Sequence, residues 1–177
     1  MNISKFTKPV RKLLPLRRCG AVIVAAGSAS RMGGIDKVMA PLKGEPMIVH
    51  TVRAFEVCDA IAEIVIVTRP DLILPITNLT SGFGKVTAVV AGGSSRQESV
   101  SLGMNALSDK CELAAIQDGA RPLVTWQLID RVVRAAHAYH AAIPVIPVKD
   151  CIFSRRSKNL RMPEGLISCT VGERILE

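Results

Sequence analysis

At 177 residues with 49% hydrophobic side chains, the chain carries enough apolar material for one packed domain and too much for a disordered one. Aromatics make up only 3%, so the core must be built from Val, Ile, Leu and Ala, which suits parallel strands covered on both faces by helices. The net charge of +8 does not mark a nucleic-acid binder: six cations fall in residues 1–18 without a single acid, and the other 159 residues hold 17 basic and 15 acidic side chains.

Residues 1–18 read as a basic tail without fixed structure, with an organelle-targeting peptide or a contact to an anionic surface as the alternatives. The tail lacks the adjoining apolar core and small-residue cleavage site of a secretory signal. From residue 19 short apolar runs alternate with helix-period segments. Ala21–Ala25 is a buried strand that ends at Gly27. Pro46 stands where a helix starts, and Ile48, Val52 and Phe55 then recur at helical spacing. Ile64–Val67 is the next strand and Val86–Val90 the third, closed by Gly92 and Gly93.

Ser95 and Glu98 have the spacing of a capping box, which predicts a helix with Val100, Met104 and Leu107 on its inner face. Leu113–Gln117 is a fourth strand that ends at Asp118-Gly119. Thr125 caps the following helix, whose apolar face is Leu128, Ile129, Val132, Val133 and Ala136. Ala141–Val148 is a fifth apolar stretch, and Pro144 and Pro147 make it an edge or irregular strand. Residues 149–177 are polar and lose the rhythm.

Repeated strand–helix–strand order predicts an α/β fold with a doubly wound, mostly parallel sheet. Ligands of such sheets bind at the carboxyl ends of the strands. Four loops share that rim: residues 26–37, 68–71, 92–96 and 118–122.

Three of the four carry chemistry. In the first, Ala25, Ala26 and Gly27 are followed by Arg31 and Lys37. Small residues after a first strand let backbone N–H groups approach phosphate oxygens, and the two cations add charge. The spacing is neither Gly-x-Gly-x-x-Gly nor a Walker loop, so hydride transfer and nucleotide hydrolysis lose ground. The second loop sets Gly92, Gly93, Ser94, Arg96 and Ser99 at a helix start, although Ser95 and Glu98 serve equally as plain caps. In the third, Asp118 can hold Mg²⁺ against nucleotide phosphates and Arg121 can grip a further phosphate; a turn-capping Asp in a surface ion pair is the competing reading.

His137 and His140 lie three apart on a helix without further ligands nearby, and read as an exposed pair rather than a metal site. The five cysteines are odd in number and form no Cys-x-x-Cys pair, which speaks against a disulfide framework or zinc. No apolar run is long enough to span a membrane, and the cytoplasm is the expected location.

Taken in this order, the three loops resemble those of the 2-C-methyl-D-erythritol 4-phosphate cytidylyltransferase family of the non-mevalonate isoprenoid pathway, over roughly residues 20–152. The pattern is met by Ala25, Ala26, Gly27, Arg31 and Lys37, then by Gly92, Gly93, Arg96, Ser99 and Val100, then by Asp118, Ala120, Arg121 and Pro122. A later Pro-Val-Lys-Asp is matched by Pro147–Asp150, but Cys151 stands where the family has Thr.

The resemblance implies a Rossmann-like nucleotidyltransferase domain over residues 19–150 and a β-arm region over 151–177, incomplete because the family continues further. It implies that CTP is joined to the sugar-alcohol phosphate with release of pyrophosphate, and that the enzyme is a homodimer. Arg31 and Lys37 would stabilise the transition state. Ala25, Ala26, Gly27, Gly93, Ser94, Arg96, Ser99 and Gly119 would bind the nucleotide, Arg121 and Cys151 the acceptor, and Asp118 the metal, Mg²⁺. Two other readings stay open: a cytidylyltransferase for ribitol 5-phosphate or another polyol phosphate, and a catalytically silent CTP-binding module.

Overall fold

The computed structural model describes residues 18–27 and 36–145. The chain divides into two units, residues 1–143 and 144–177, and the architecture below is that of the first. In chain order its elements are β1 (Cys19–Ala25), β2 (Pro41–Leu42), β3 (Glu45–Pro46), α1 (Met47–Glu56), β4 (Ile61–Thr68), α2 (Ile73–Thr80), β5 (Val86–Ala91), α3 (Arg96–Asn105), β6 (Leu113–Asp118) and α4 (Trp126–Tyr139). A 3₁₀ turn over Pro70–Leu72 leads into α2, and β2 and β3 form a short antiparallel hairpin.

The four longer strands make one sheet in the order β5-β4-β1-β6, and every pairing is parallel. The two central strands are the apolar runs expected of strands buried on both faces. Val22, Ile23, Ile64, Val65, Ile66 and Val67 have no measurable exposure. Each aliphatic side chain so buried contributes about 1.5–3 kcal/mol, which makes the β1–β4 pair the centre of stability.

Alternation along the strands divides the core in two. Ala21, Ile23, Ile64 and Ile66 pack with Ile48 and Val52 of α1, Ile76 of α2, and Ile129 and Val133 of α4. On the other face Val22, Val65 and Val67 form a smaller cluster with Ala106 and Leu107, just beyond α3. Helices therefore cover both faces, as a doubly wound sheet requires.

The inner face of α3 departs from expectation. Its buried residues are Ser99, Val100 and Gly103, whereas Met104 is 49% exposed. The reason is close approach: a Cβ on Gly103 would lie 2.4 Å from Val22 Cγ1 and 2.6 Å from Val67 Cγ2. The helix rests on the sheet through its small residues, and Leu107 packs from beyond the helix end.

Two features were not legible beforehand. The β2–β3 hairpin is very short, and α2 (Ile73-Leu-Pro-Ile-Thr-Asn-Leu-Thr80) is rich in β-branched residues and contains Pro75. Pro75 lies in the first turn, where a missing N–H costs nothing, and buried Ile76 and Thr80 hold the helix down. The expected fifth strand is not formed over Ala141–Val145, which are irregular, and Pro144 among them has no N–H to give a ladder. The remainder of that stretch, the basic tail over 1–17 and the arm over 151–177 lie outside the described residues.

The chain runs outward from β1 to β4 to β5, then returns through α3 to place β6 on the other side of β1. The order reverses between β1 and β6, and at such a switch point the ligands of doubly wound sheets bind outside the strands' carboxyl ends.

Candidate functional site

Asp118 closes β6 at this switch point, opposite Val24 of β1 in the parallel register. One carboxylate oxygen, Oδ1, accepts a hydrogen bond from Arg96 Nη2 at 3.1 Å, and the other, Oδ2, lies 2.8 Å from Arg121 Nε. Asp118 thus joins the second and third predicted loops through a shared ion pair. Two arginine contacts leave lone pairs on a carboxylate that offers about four acceptor sites. The side chain remains 22% exposed, so Asp118 fits a role as the single protein carboxylate of a Mg²⁺ ion whose other ligands are phosphates and water. Among the described residues no cluster of three or more His, Cys, Asp or Glu is arranged as a metal cage.

The loop after β5 is folded tightly. Gly92 N–H donates to Thr68 O at 2.7 Å, which ties the loop to β4. Ser95 is the N-cap of α3 and accepts from Glu98 N–H at 3.1 Å. The return bond of the expected capping box shifts by one residue: Glu98 Oε2 accepts from Ser94 N–H at 2.7 Å and from Ser94 Oγ at 2.8 Å. These bonds hold the exposed Glu98 carboxyl below its ordinary pKa, with the Ser94 hydroxyl as the largest cause. Ser99 is buried; its Oγ accepts from Gly93 N–H at 3.1 Å and donates to Ser95 O at 2.9 Å. Ser94 and Ser99 therefore bond within the loop and set its shape.

Gly119 is equally enclosed. Its N–H donates to Val24 O at 2.8 Å, and a Cβ there would meet Ile48 Cδ1 at 2.8 Å. Ala25 ends β1, and Ala26 and Gly27 of the first loop follow it directly. Lys37 is exposed at the loop's far end. Arg31 and Cys151 lie outside the described residues.

The structure adds three residues that motif reading passed over. Asp36 precedes Lys37, and its Oδ2 lies 2.7 Å from Arg69 Nη2. Thr51 of α1 donates its hydroxyl to Gly119 O. Buried side-chain oxygens without a hydrogen-bond partner among the described residues are Asp36 Oδ2 and Thr68 Oγ1; the Asp36–Arg69 contact is an ion pair off the hydrogen-bonding direction. Both atoms belong to this rim, where a polar group left short of partners points to a site. Only the position of Asp36 beside Lys37 offered a prior signal.

Among the described residues no cysteine fits nucleophilic thiol chemistry. Burial pushes the Cys19 thiol up to about 12, and burial likewise raises Cys58 and Cys111. His140 is the left-handed C-cap of α4, with φ 71°. Among the described residues no helix is long and apolar enough to cross a membrane.

The family model described as 2-C-methyl-D-erythritol 4-phosphate cytidylyltransferase matches residues 19–164. The chain belongs to that family. A curated member from Dehalococcoides mccartyi is 39% identical over 156 residues, which covers 87% of this chain and 66% of the relative. A second, from Caldanaerobacter subterraneus subsp. tengcongensis, is 40% identical over 136 residues, with 75% of this chain and 60% of the relative covered. The chain thus spans less than two thirds of the length of these relatives. Among solved structures, the 4-diphosphocytidyl-2C-methyl-D-erythritol synthase of Anaerococcus prevotii superposes with a TM-score of 0.60 at 28% identity, covering 68% of this chain and 51% of that one. The doubly wound α/β architecture expected from the strand–helix alternation is shared with that solved structure, as the resemblance to a nucleotidyltransferase family implies.

Proposed function

We propose that this chain binds CTP at the β1–β6 switch point and transfers its cytidylyl group to the phosphate of 2-C-methyl-D-erythritol 4-phosphate, releasing pyrophosphate. What supports the reading is the Arg96–Asp118–Arg121 cluster at the carboxyl end of β6, in a chain of this family.

The chemistry needs no protein nucleophile. The acceptor phosphate has a second pKa of about 6 and is largely dianionic near neutral pH. One of its oxygens attacks the α-phosphorus of CTP, and the bond from that phosphorus to the bridging oxygen breaks, so the electron pair leaves with pyrophosphate. The protein's task is alignment and positive charge where negative charge accumulates. Lys37 and Arg31 supply charge from the first loop. Arg96 and Arg121, both paired with Asp118, would bind phosphate by exchanging one anionic partner for another. Gly92 and Gly93 let the second loop lie close to the nucleotide, and Ser94 and Ser99 fix its shape. Asp118 would hold Mg²⁺, which supplies Lewis-acid charge to the triphosphate when bound. Arg121, with Cys151, belongs to the acceptor side.

In the same reading the enzyme is cytoplasmic, consistent with an odd number of cysteines at spacings unlike a disulfide framework, and a homodimer, as the family resemblance implies. The test is pyrophosphate release with CTP, Mg²⁺ and the erythritol phosphate, with ribitol 5-phosphate run in parallel. Release with the first substrate that disappears in Arg31→Ala and Lys37→Ala supports the reaction. Preference for ribitol 5-phosphate would reassign the acceptor, and CTP binding without release would reduce the chain to a nucleotide-binding unit.

A further inference from the structure

Of the four rim loops, residues 68–71 carry none of the motifs used above, yet they touch the base of the one that bears Lys37. Asp36 Oδ1 accepts from Val38 N–H at 3.1 Å, which closes a small turn with Lys37 at its apex. Downstream the turn is pinned: Val38 is buried and its carbonyl accepts from Ile48 N–H at 3.0 Å, at the start of α1. Upstream, the anchor is Arg69, whose Nη2 lies 2.7 Å from Asp36 Oδ2. Arg69 follows fully buried Thr68 at the end of β4, and its guanidinium is itself held by Asp71 through two bonds of 3.1 Å. The Asp36 and Arg69 side chains are only 19% and 28% exposed, so water screens the pair less than an open surface bridge.

We infer that Arg69 is a positioning residue that acts through Asp36 to fix the turn from which Lys37 projects, and that keeps the Asp36 carboxylate from competing with substrate phosphate for the Lys37 ammonium. This rests on the assignment of Lys37 to the transition state made above. The physical need is plain. A lysine side chain is a point charge on a flexible four-carbon stem, so the accuracy of its placement comes from its backbone. An unneutralised carboxylate one residue away would draw the ammonium back from the phosphates.

The experiment compares Arg69→Ala, Arg69→Lys and Lys37→Ala in the full chain, reading kcat, KM for CTP and hydrogen exchange of the Val38 amide. Arg69→Ala is expected to lower kcat roughly 10- to 100-fold, the scale of a misplaced catalytic group, with KM for CTP changed less than about twofold. Arg69→Lys should recover part of the loss, as should guanidinium ion added to Arg69→Ala at concentrations that leave the wild type unaffected. Wild-type kcat in Arg69→Ala alongside an inactive Lys37→Ala overturns the inference and leaves the site reading intact. Wild-type kcat in Lys37→Ala overturns the site reading, and the positioning role falls with it. Should the wild-type chain release no pyrophosphate, the Val38 amide decides: exchange about tenfold faster in Arg69→Ala supports the anchor, and unchanged exchange overturns it.

Discussion

The hydroxyl of Thr51 lies 2.8 Å from the carbonyl oxygen of Gly119, closer than the 3.3 Å to Met47 O in its own helix. Thr51 has no exposed surface, so this buried bond ties the first helix to the loop that follows Asp118. Thr51→Val keeps the shape and removes the donor, leaving a buried carbonyl short of a partner. The expected loss is about 1–3 kcal/mol in urea denaturation. Thr51→Ser retains the bond and should lose only about 1 kcal/mol for the missing methyl. Equal losses in the two variants would show that packing, not the hydrogen bond, matters here.

Gly92 sits where two rim loops meet. A Cβ there would lie 2.4 Å from Ala26 Cβ and 2.9 Å from Ser99 Oγ. A methyl on Ala26 has no rotamer to escape through, so Gly92→Ala must move backbone. Overpacking of this kind costs about 1–3 kcal/mol. The loops part at the proposed nucleotide site, so CTP affinity measured by calorimetry is expected to fall more than stability alone explains. Unchanged affinity would remove the second loop from the binding site.

Glu63, near the amino end of the central strand β4, provides a pH-dependent term away from the proposed site. Burial by itself raises this carboxyl, but its Oε1 accepts from Ser108 N–H at 2.6 Å and from the Cys111 thiol at 3.3 Å, and the pKa ends below the ordinary value. A carboxyl depressed in the folded state contributes stability that is complete above its unfolded pKa of about 4.3 and is lost as pH falls through the lower folded value. Glu63→Gln should cost about 1–2 kcal/mol at pH 7 and flatten the stability curve below pH 4. A variant whose acid limb matches the wild type would assign that limb to other carboxylates.

Asp118→Asn separates the site from the fold. Its partners Arg96 and Arg121 have side chains 44% and 59% exposed, and ion pairs this open contribute roughly 0–1 kcal/mol. The melting temperature should therefore move little. Pyrophosphate release is expected to fall by about 100-fold or more, since an amide holds neither the metal charge nor the two guanidinium groups. Full activity in this variant would take Asp118 out of the mechanism.

How much was legible beforehand follows from where the determining partner lies. The apolar runs around Ile23 and Ile66 and the Ser95 and Thr125 caps act within a few residues of themselves, so they could be read in place. The α3 face differs from the apolar stripe through Met104 that the spacing predicts, because Gly103 lets the backbone lie against Val22 and Val67. Helix α2 was passed over because its β-branched residues and Pro75 are poor helix formers by propensity, and burial of Ile76 and Thr80 overrides them.

The sequence by itself determined the alternating architecture, the family, and the three loops where small residues, cations and an acid coincide. Only the tertiary structure decided that Ser99 bonds inside its loop, that Asp118 is shared by Arg96 and Arg121, and that Arg69 reaches Asp36. The Arg96–Asp118 and Arg69–Asp36 contacts join segments carried by different strands, and Thr51 and Gly119 stand 68 positions apart. Local patterning specifies which face of an element is apolar; which distant polar group completes a hydrogen bond or ion pair is set only once the sheet order brings the strand ends together.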